Sequence, residues 1–171
     1  MTGNVTVSDG VATCVALVSA GACNLTSTSA GAKSLTATYA GDANYLGSAS
    51  TPATAHTVNA AATTTTITNT AALATATVVG QTYPVNWSVA VNAPGAVGVA
   101  LTGNVTVSDG VSTCVAAVAA GACNLASTSA GTKSITATYA GDANYLTSAS
   151  AATSHAVNAA ATTTTITNVA A

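Results

Sequence analysis

The stretch TYPVNWSVAV, residues 82–91, alternates apolar and polar residues more strictly than the other segments of the chain. Because successive side chains of a strand point to opposite faces, this alternation predicts a strand with one buried face. Pro84 has no amide hydrogen to donate, which limits the start of the strand to a sheet edge or a bulge. Trp87 is therefore predicted to be a core residue between two sheets, with Ile135 and Tyr139 nearby.

Short β-branched or alternating runs lie on both sides of this strand, separated by turn residues such as Asp109-Gly110. The predicted strands are residues 63–68, 74–80, 104–108, 111–118, 122–128, 133–141 and 148–157, with a loop at 91–98. The pair 111–118 and 122–128 is interpreted as a hairpin about an Ala-Gly turn, and no segment has a helical pattern. This order predicts an all-β fold, an Ig-like antiparallel β-sandwich of seven or eight short strands.

The chain repeats itself. Residues 2–50 recur at 102–150 with seven differences, which leaves 42 identities among 49 positions, and the period is 99 to 100 residues. This predicts tandem Ig-like repeats of about 99 residues, one sandwich domain each. The predicted boundaries are 1–59 for the C-terminal part of a repeat without its opening strands, 60–158 for a complete repeat, and 159–171 for the first strand of a following repeat.

Residues 1–59 contain no counterpart of the tryptophan strand, so their inward side chains have no opposing sheet. We expect the chain to be a window from a longer tandem array. The first segment would then be completed by further residues of one continuous chain, which we favour, or by a neighbouring subunit through strand addition.

The motifs GNVTVSDG at 103–110 and TATYAGDANY at 136–145 resemble those of bacterial Ig-like repeat domains in large secreted and cell-surface proteins. The resemblance covers 60–158 fully and 2–59 as a truncated copy. It implies an extracellular β-sandwich that is used in tandem as a stalk, adhesin arm or fibre. It brings no catalytic residues with it.

The four cysteines form two pairs, Cys14 with Cys23 and Cys114 with Cys123, and each pair flanks an Ala-Gly turn. If the flanking segments pair across that turn, the two thiols of each pair face each other at a distance that a disulfide can close. We predict two local hairpin disulfides, which are typical of an oxidising compartment. Free thiols are a less favoured alternative. A metal site is weaker still, because a structural zinc ion needs four clustered ligands.

The turn YAGDANY places two oxygen-bearing side chains close together in each repeat, which makes four weak calcium candidates: Asp42, Asn44, Asp142 and Asn144. Calcium takes about six to eight oxygens, so a turn stabilised by the Asp side chain is favoured instead. His56 and His155 share the parity of inward valines and are interpreted as hydrogen-bonded structural residues. We expect no metal and no cofactor.

Charged residues make up 4% of the chain, against about 25% in ordinary proteins. A chain with so few cations cannot neutralise phosphates, which argues against nucleic-acid binding. No apolar run reaches the ~18 residues of a membrane span. The sequence also has no nucleophile with a base beside it, so we predict that the protein is not an enzyme.

The sequence therefore predicts a non-enzymatic structural repeat of an extracellular bacterial fibre, stalk or adhesin, secreted or displayed on the cell surface. Disulfide-linked sandwiches would stiffen it by packing end to end. The expected partners are neighbouring copies of the same repeat, in the same chain or in a homopolymer. The alternative is a module that binds a surface glycan or a receptor at the sandwich loops.

Overall fold

In the computed structural model, residues 1–95 and 99–168 are described. The chain divides into two compact units. The first consists of Met1–Ala62, Val91–Ala100 and Ala143–Leu146; the second consists of Thr63–Ala90, Leu101–Asp142 and Thr147–Ala171. Parts of two predicted elements lie outside the described residues, namely 96–98 of the loop at 91–98 and 169–171 of the C-terminal strand.

The first unit is built on one antiparallel sheet. Its strands are β1 (Asn4–Ser8), β2 (Thr13–Leu17), β3 (Gly31–Tyr39), β4 (Ser48–Ala49) and β5 (Thr54–Val58). β1 lies between β2 and β3, and β3 also pairs with β4 and β5 at different points along its length. A short 3-10 helix, Val18–Ala20, follows β2. Residues 22–26, all of them described, belong to no strand.

The second unit is a β-sandwich. Its strands are β6 (Thr63–Ile67), β7 (Thr77–Val78), β8 (Thr82–Val91), β9 (Asn104–Ser108), β10 (Thr113–Ala117), β11 (Ala122–Ala126), β12 (Gly131–Tyr139), β13 (Ser148–Ala149) and β14 (Thr153–Asn158). One sheet has the order β10-β9-β12-β14-β7, with β13 also paired to β12, and the other has the order β11-β8-β6. The sheets face each other, since β6 packs on β12 and β13 while β11 packs on β9 and β10.

The alternation of the tryptophan strand sets the core of the sandwich. Tyr83, Val85 and Trp87 of β8 are buried, while Pro84 and the flanking residues Thr82 and Ser88 are exposed. The facing sheet buries Ile135 and Tyr139 completely, at 0% exposure each. Alternating burial on both sheets is what a sandwich requires, and the predicted all-β, Ig-like fold is confirmed.

Pro84 lies where β8 has a strand partner on one side only. β11 pairs with the first half of β8, and β6 pairs with its second half. Next to Pro84 the amide of Asn69 takes the place of a strand: its Nδ2 donates to the Pro84 carbonyl (2.9 Å), and its Oδ1 accepts from the Asn86 amide (3.0 Å). The missing proline N–H therefore leaves no gap in the sheet.

Two sequence predictions between β6 and β8 are wrong. Residues 74–80 were predicted as a strand and no helix was predicted, but the structure has a short helix α1 (Thr70–Leu73) and only two strand residues, β7. β7 pairs with β14 in parallel, so the sandwich is not purely antiparallel. The Ala-rich run favours a helical turn, and that turn buries Leu73 in the core.

The last predicted strand, 148–157, is interrupted. β13 and β14 both pair with β12, but not in the same register. Tyr139 lies opposite Ser148 and Ile135 lies opposite Thr153, so four steps along β12 correspond to five steps along the other strand. This one-residue shift is a bulge, and Ser150 fills it by bonding Ala137 through both its amide and its hydroxyl.

Candidate interaction face of the first unit

Both predicted disulfides are present, but the predicted hairpin around them is wrong. Cys14 is bonded to Cys23 (Cα–Cα 6.0 Å) and Cys114 to Cys123 (Cα–Cα 6.1 Å). In the second unit Cys114 lies on β10 and Cys123 on β11, which belong to different sheets. The 3-10 helix Val118–Ala120 carries the chain from one sheet to the other. The bond therefore joins the two sheets of the sandwich instead of two neighbouring strands.

The crossing also forms the site that holds Trp87. The indole Nε1 donates to the Val118 carbonyl (3.4 Å), and the Trp87 amide donates to the Gly121 carbonyl (2.9 Å). β11 continues this pairing, with Cys123 opposite Val85 and Leu125 opposite Tyr83. Trp87 is only 5% exposed as a result.

The same residues in the first unit line an open groove of about 190 Å³. Its lining includes Val5, Val7, Ala16, Val18, Gly21, Cys23 and Ala37. Each has an identical counterpart 100 positions later, and the counterparts of Val18 and Gly21 are the two residues that bind Trp87. We call this feature the first-unit groove.

The backbone around the groove already has the conformation found in the second unit. Gly21 has φ of 67° and Gly121 has φ of 68°, both in the left-handed region that glycine adopts without strain. The 3-10 helix before each glycine has the same length. What differs is the strand partner: residues 122–126 form β11 beside β8, whereas residues 22–26 are in no strand.

Equivalent apolar side chains are more exposed in the first unit than in the second, because the first unit lacks a facing sheet. Val105, Val107, Leu125 and Ile135 are at most 1% exposed, while their counterparts Val5, Val7, Leu25 and Leu35 are only partly buried. Since the sequences are nearly identical, this contrast arises from the surroundings of the residues. The first unit therefore presents an apolar face. The corresponding face of the second unit is covered by that unit's own strand β8 and its neighbours.

The two histidines also differ in burial between the units. His155 is 1% exposed; its Nδ1 donates to the Leu73 carbonyl (2.8 Å), and its Nε2 bonds the Thr77 hydroxyl (2.8 Å). A carbonyl can only accept, so Nδ1 carries a proton in this hydrogen bond. The interpretation as a structural histidine fits His155. It is wrong for His56, which is exposed.

A buried polar chain, which the sequence did not indicate, lies beside the turn after β9. Ser127 donates to Asp109 Oδ2 (2.6 Å), and the Tyr83 hydroxyl bonds Ser127 (2.8 Å). Asp109 Oδ1 accepts the amides of Val111 and Ser112. Burial raises the pKa of Asp109, but the hydrogen bonds outweigh burial and hold that pKa below its ordinary value. The Asp-Gly pair indicated a turn, but nothing marked the distant serine as its partner.

The first unit forms the same hydrogen-bonded turn at Asp9, although among the described residues no tyrosine hydroxyl bonds its serine as Tyr83 does in the second unit. Ser27 donates to Asp9 Oδ2 (2.6 Å), and the amides of Val11 and Ala12 donate to Oδ1. These bonds lower the pKa of Asp9 to about 2. The turn is thus a local structure that both copies form, whether or not a second sheet is present.

The calcium candidates are held within the protein by hydrogen bonds. Asp42 Oδ2 accepts from the amide and hydroxyl of Thr2, Oδ1 accepts from the Asn44 amide, and the Asp42 pKa is lowered to about 2 by the Thr2 and Asn44 amides. Asp142 Oδ2 accepts from the amide and hydroxyl of Thr102.

Asn144 Oδ1 accepts from the Ala30 amide (2.9 Å). Within residues 1–95 and 99–168, no three His, Cys, Asp or Glu side chains gather as a metal site would require. The bond from the Asn44 amide to Asp42 Oδ1 stabilises its turn as an Asx-type interaction does. The other bonds hold the turns to the distant residues Thr2, Thr102 and Ala30.

The family model of the bacterial Ig-like domain (group 3) matches residues 1–59. The Ig-like sequence recurs at 102–150, so the second unit carries the same motif together with the β6–β8 strands. No curated protein and no solved structure matches the chain significantly. Among the described residues, no helix has the length and apolar character to cross a membrane. The family and the two disulfides fit a structural or surface module.

Proposed function

We propose that the chain is a non-enzymatic structural repeat of an extracellular bacterial fibre, stalk or adhesin. The single observation that supports this most is the disulfide, which is present in both copies and in the second unit joins the two sheets at their crossing. Such bonds persist in oxidising compartments outside the cytosol. A small sandwich linked in this way resists opening without a large core.

Neighbouring copies of the repeat are the proposed partners. The joint NAAATTTT at 158–165 follows directly on β14 and has no charged residue. It is too short and too apolar for a free linker, which would be rich in Gly and Ser. Burial of such joints between consecutive domains would give an array its stiffness.

The test is made in the producing bacterium. Intact cells are treated with a membrane-impermeant protease and, separately, labelled with antibodies raised against residues 60–158, while thiol trapping under acid quench reports the oxidation state. We expect surface labelling, loss of the signal on shaving, and both cysteine pairs oxidised. A protein found inside the cells with reduced thiols would overturn the proposal. A glycan array with the purified chain tests the alternative of a carbohydrate-binding module.

A further inference from the structure

We propose that the first-unit groove is an acceptor site for an extended polypeptide segment of the β8 type, in which Tyr, Val and Trp alternate with polar residues. The segment would lie antiparallel to residues 22–26 and insert its tryptophan into the groove. This inference concerns an interaction surface and does not depend on the extracellular role proposed above.

The second unit supplies the geometry of the bound state. There the counterpart of the groove receives Trp87 through the carbonyls of Val118 and Gly121. The corresponding residues Val18 and Gly21 line the groove. The expected register places the valine two positions before the tryptophan opposite Cys23, and the tyrosine opposite Leu25, as in the pairs Val85–Cys123 and Tyr83–Leu125.

The size and chemistry of the groove favour a side chain over a small ligand. Small-molecule sites usually measure about 300–1,000 Å³, and this groove measures about 190 Å³. No charged residue lines it. An added strand suits a small, uncharged groove, because it binds through main-chain hydrogen bonds and places alternate side chains in pockets.

The acceptor is organised in advance. The disulfide between Cys14 and Cys23 links the start of residues 22–26 to β2. Ala16 of the same strand lines the groove. Less ordering is therefore required on binding, which favours affinity. Because β8 of this chain already lies between β11 and β6, the occupant is a second β8-type segment and not residues 82–91 themselves.

The test uses the full chain and a synthetic peptide with the sequence of residues 81–92, extended by two lysines for solubility and labelled with fluorescein. Polarisation measures binding, and hydrogen exchange of the full chain measures protection of the amides of residues 22–26. The control peptide exchanges the residues that correspond to Asn86 and Trp87. Its composition is unchanged, but the indole lies on the opposite face of the strand.

We expect saturable binding of one peptide per chain and new protection at residues 22–26. The exchanged peptide, and a peptide with alanine in place of the tryptophan, should bind about tenfold or more weakly, because a central aromatic anchor carries much of the affinity of an interface. Equal binding of the original and exchanged peptides, or no binding of either, would overturn the proposal.

A matched pair of protein variants locates the site. Ala16 lines the groove, while its neighbour Val15 is 57% exposed on the other face of the same strand. Ala16→Asp should abolish peptide binding and Val15→Asp should preserve it. Unchanged binding by a folded Ala16→Asp protein would contradict the assigned site. Because the peptide controls leave the protein unaltered, they decide the question even if Ala16→Asp fails to fold.

Discussion

At the scale of single residues, the repeat supplies its own controls, since chemically identical side chains occupy covered and uncovered positions. His155 and His56 are the clearest case. Replacing His155 with alanine leaves the buried Leu73 carbonyl without its donor, which costs about 1–3 kcal/mol, with a further loss from the cavity. His56→Ala should leave the stability nearly unchanged because His56 is exposed.

Denaturant unfolding of the two variants, followed by the fluorescence of the single tryptophan, measures the difference. Equal losses of unfolding free energy in both variants would show that the His155 hydrogen bonds do not stabilise the sandwich.

Trp87 is the second residue for which the cost of removal can be estimated. It fills the crossing between the sheets and is 5% exposed, so Trp87→Ala should lower the free energy of unfolding by about 3–5 kcal/mol. Circular dichroism during urea unfolding measures this loss without the indole signal. In the unaltered protein, acrylamide should quench Trp87 much less than it does in the unfolded chain. Equal quenching in both states would contradict burial of the indole.

The turn aspartates predict a dependence of stability on pH. The pKa of Asp109 in the folded state lies below its ordinary value of 3.8. The carboxylate therefore stabilises the fold above about pH 4, and that contribution is lost as the pH falls through the lower folded pKa. The thermal midpoint should drop steeply from pH 4 to pH 2 in the unaltered protein and less steeply in Asp109→Asn. Parallel curves for the two proteins would contradict the assignment.

At the scale of elements, the disulfide that joins the sheets should contribute to stability mainly through the unfolded chain. Closing a loop of about ten residues is worth roughly 2.5–3 kcal/mol on the chain-entropy model. Replacing Cys114 and Cys123 with serine should lower the stability of the second unit by about that amount. The same change at Cys14 and Cys23 should leave the Trp87 unfolding curve unchanged. A shift of that curve by the second variant would mean that the units do not unfold independently.

Much of the element pattern could be predicted from the sequence. The alternation around Trp87 predicted β8 and its buried face because the strand contacts the core along one side. The spacing of the cysteines identified the pairs but not their place in the fold. Local spacing cannot distinguish a hairpin from a chain that crosses between sheets, because both bring two thiols together across a short turn.

The short elements were the least predictable. β7 has two residues, and its parallel pairing with β14 joins positions about 80 apart in the sequence. The Tyr83–Ser127–Asp109 chain likewise connects three separate elements. Such features depend on tertiary packing, which local patterns do not encode.

At the scale of the whole molecule, near-identical segments differ in whether they are strands. AATTTTITN at 61–69 contains β6, while the same nine residues at 160–168 are exposed and have no assigned secondary structure. Backbone groups need a partner strand as well as a β-forming sequence. That this run begins a further repeat stays a prediction.

The difference between the units should be measurable by hydrogen exchange. We expect the amides of residues 22–26 to exchange at least about tenfold faster than those of β11, which are protected by pairing with β8. The amides of β1 and β9, which are paired in both units, serve as the internal reference. Equal protection of the two segments would mean that the first unit is covered in solution.

The position of the disulfide sets how far the second unit can be stretched. Cys114 and Cys123 are nine residues apart in sequence and have a Cα–Cα distance of 6.1 Å. A fully extended stretch of that length would span about 30 Å. Under a pulling force the covalent bond bears the load, so this stretch cannot lengthen. The contour length released on unfolding is therefore about 25 Å shorter in the oxidised domain than in the reduced one, and a fibre of such domains would yield less before it breaks.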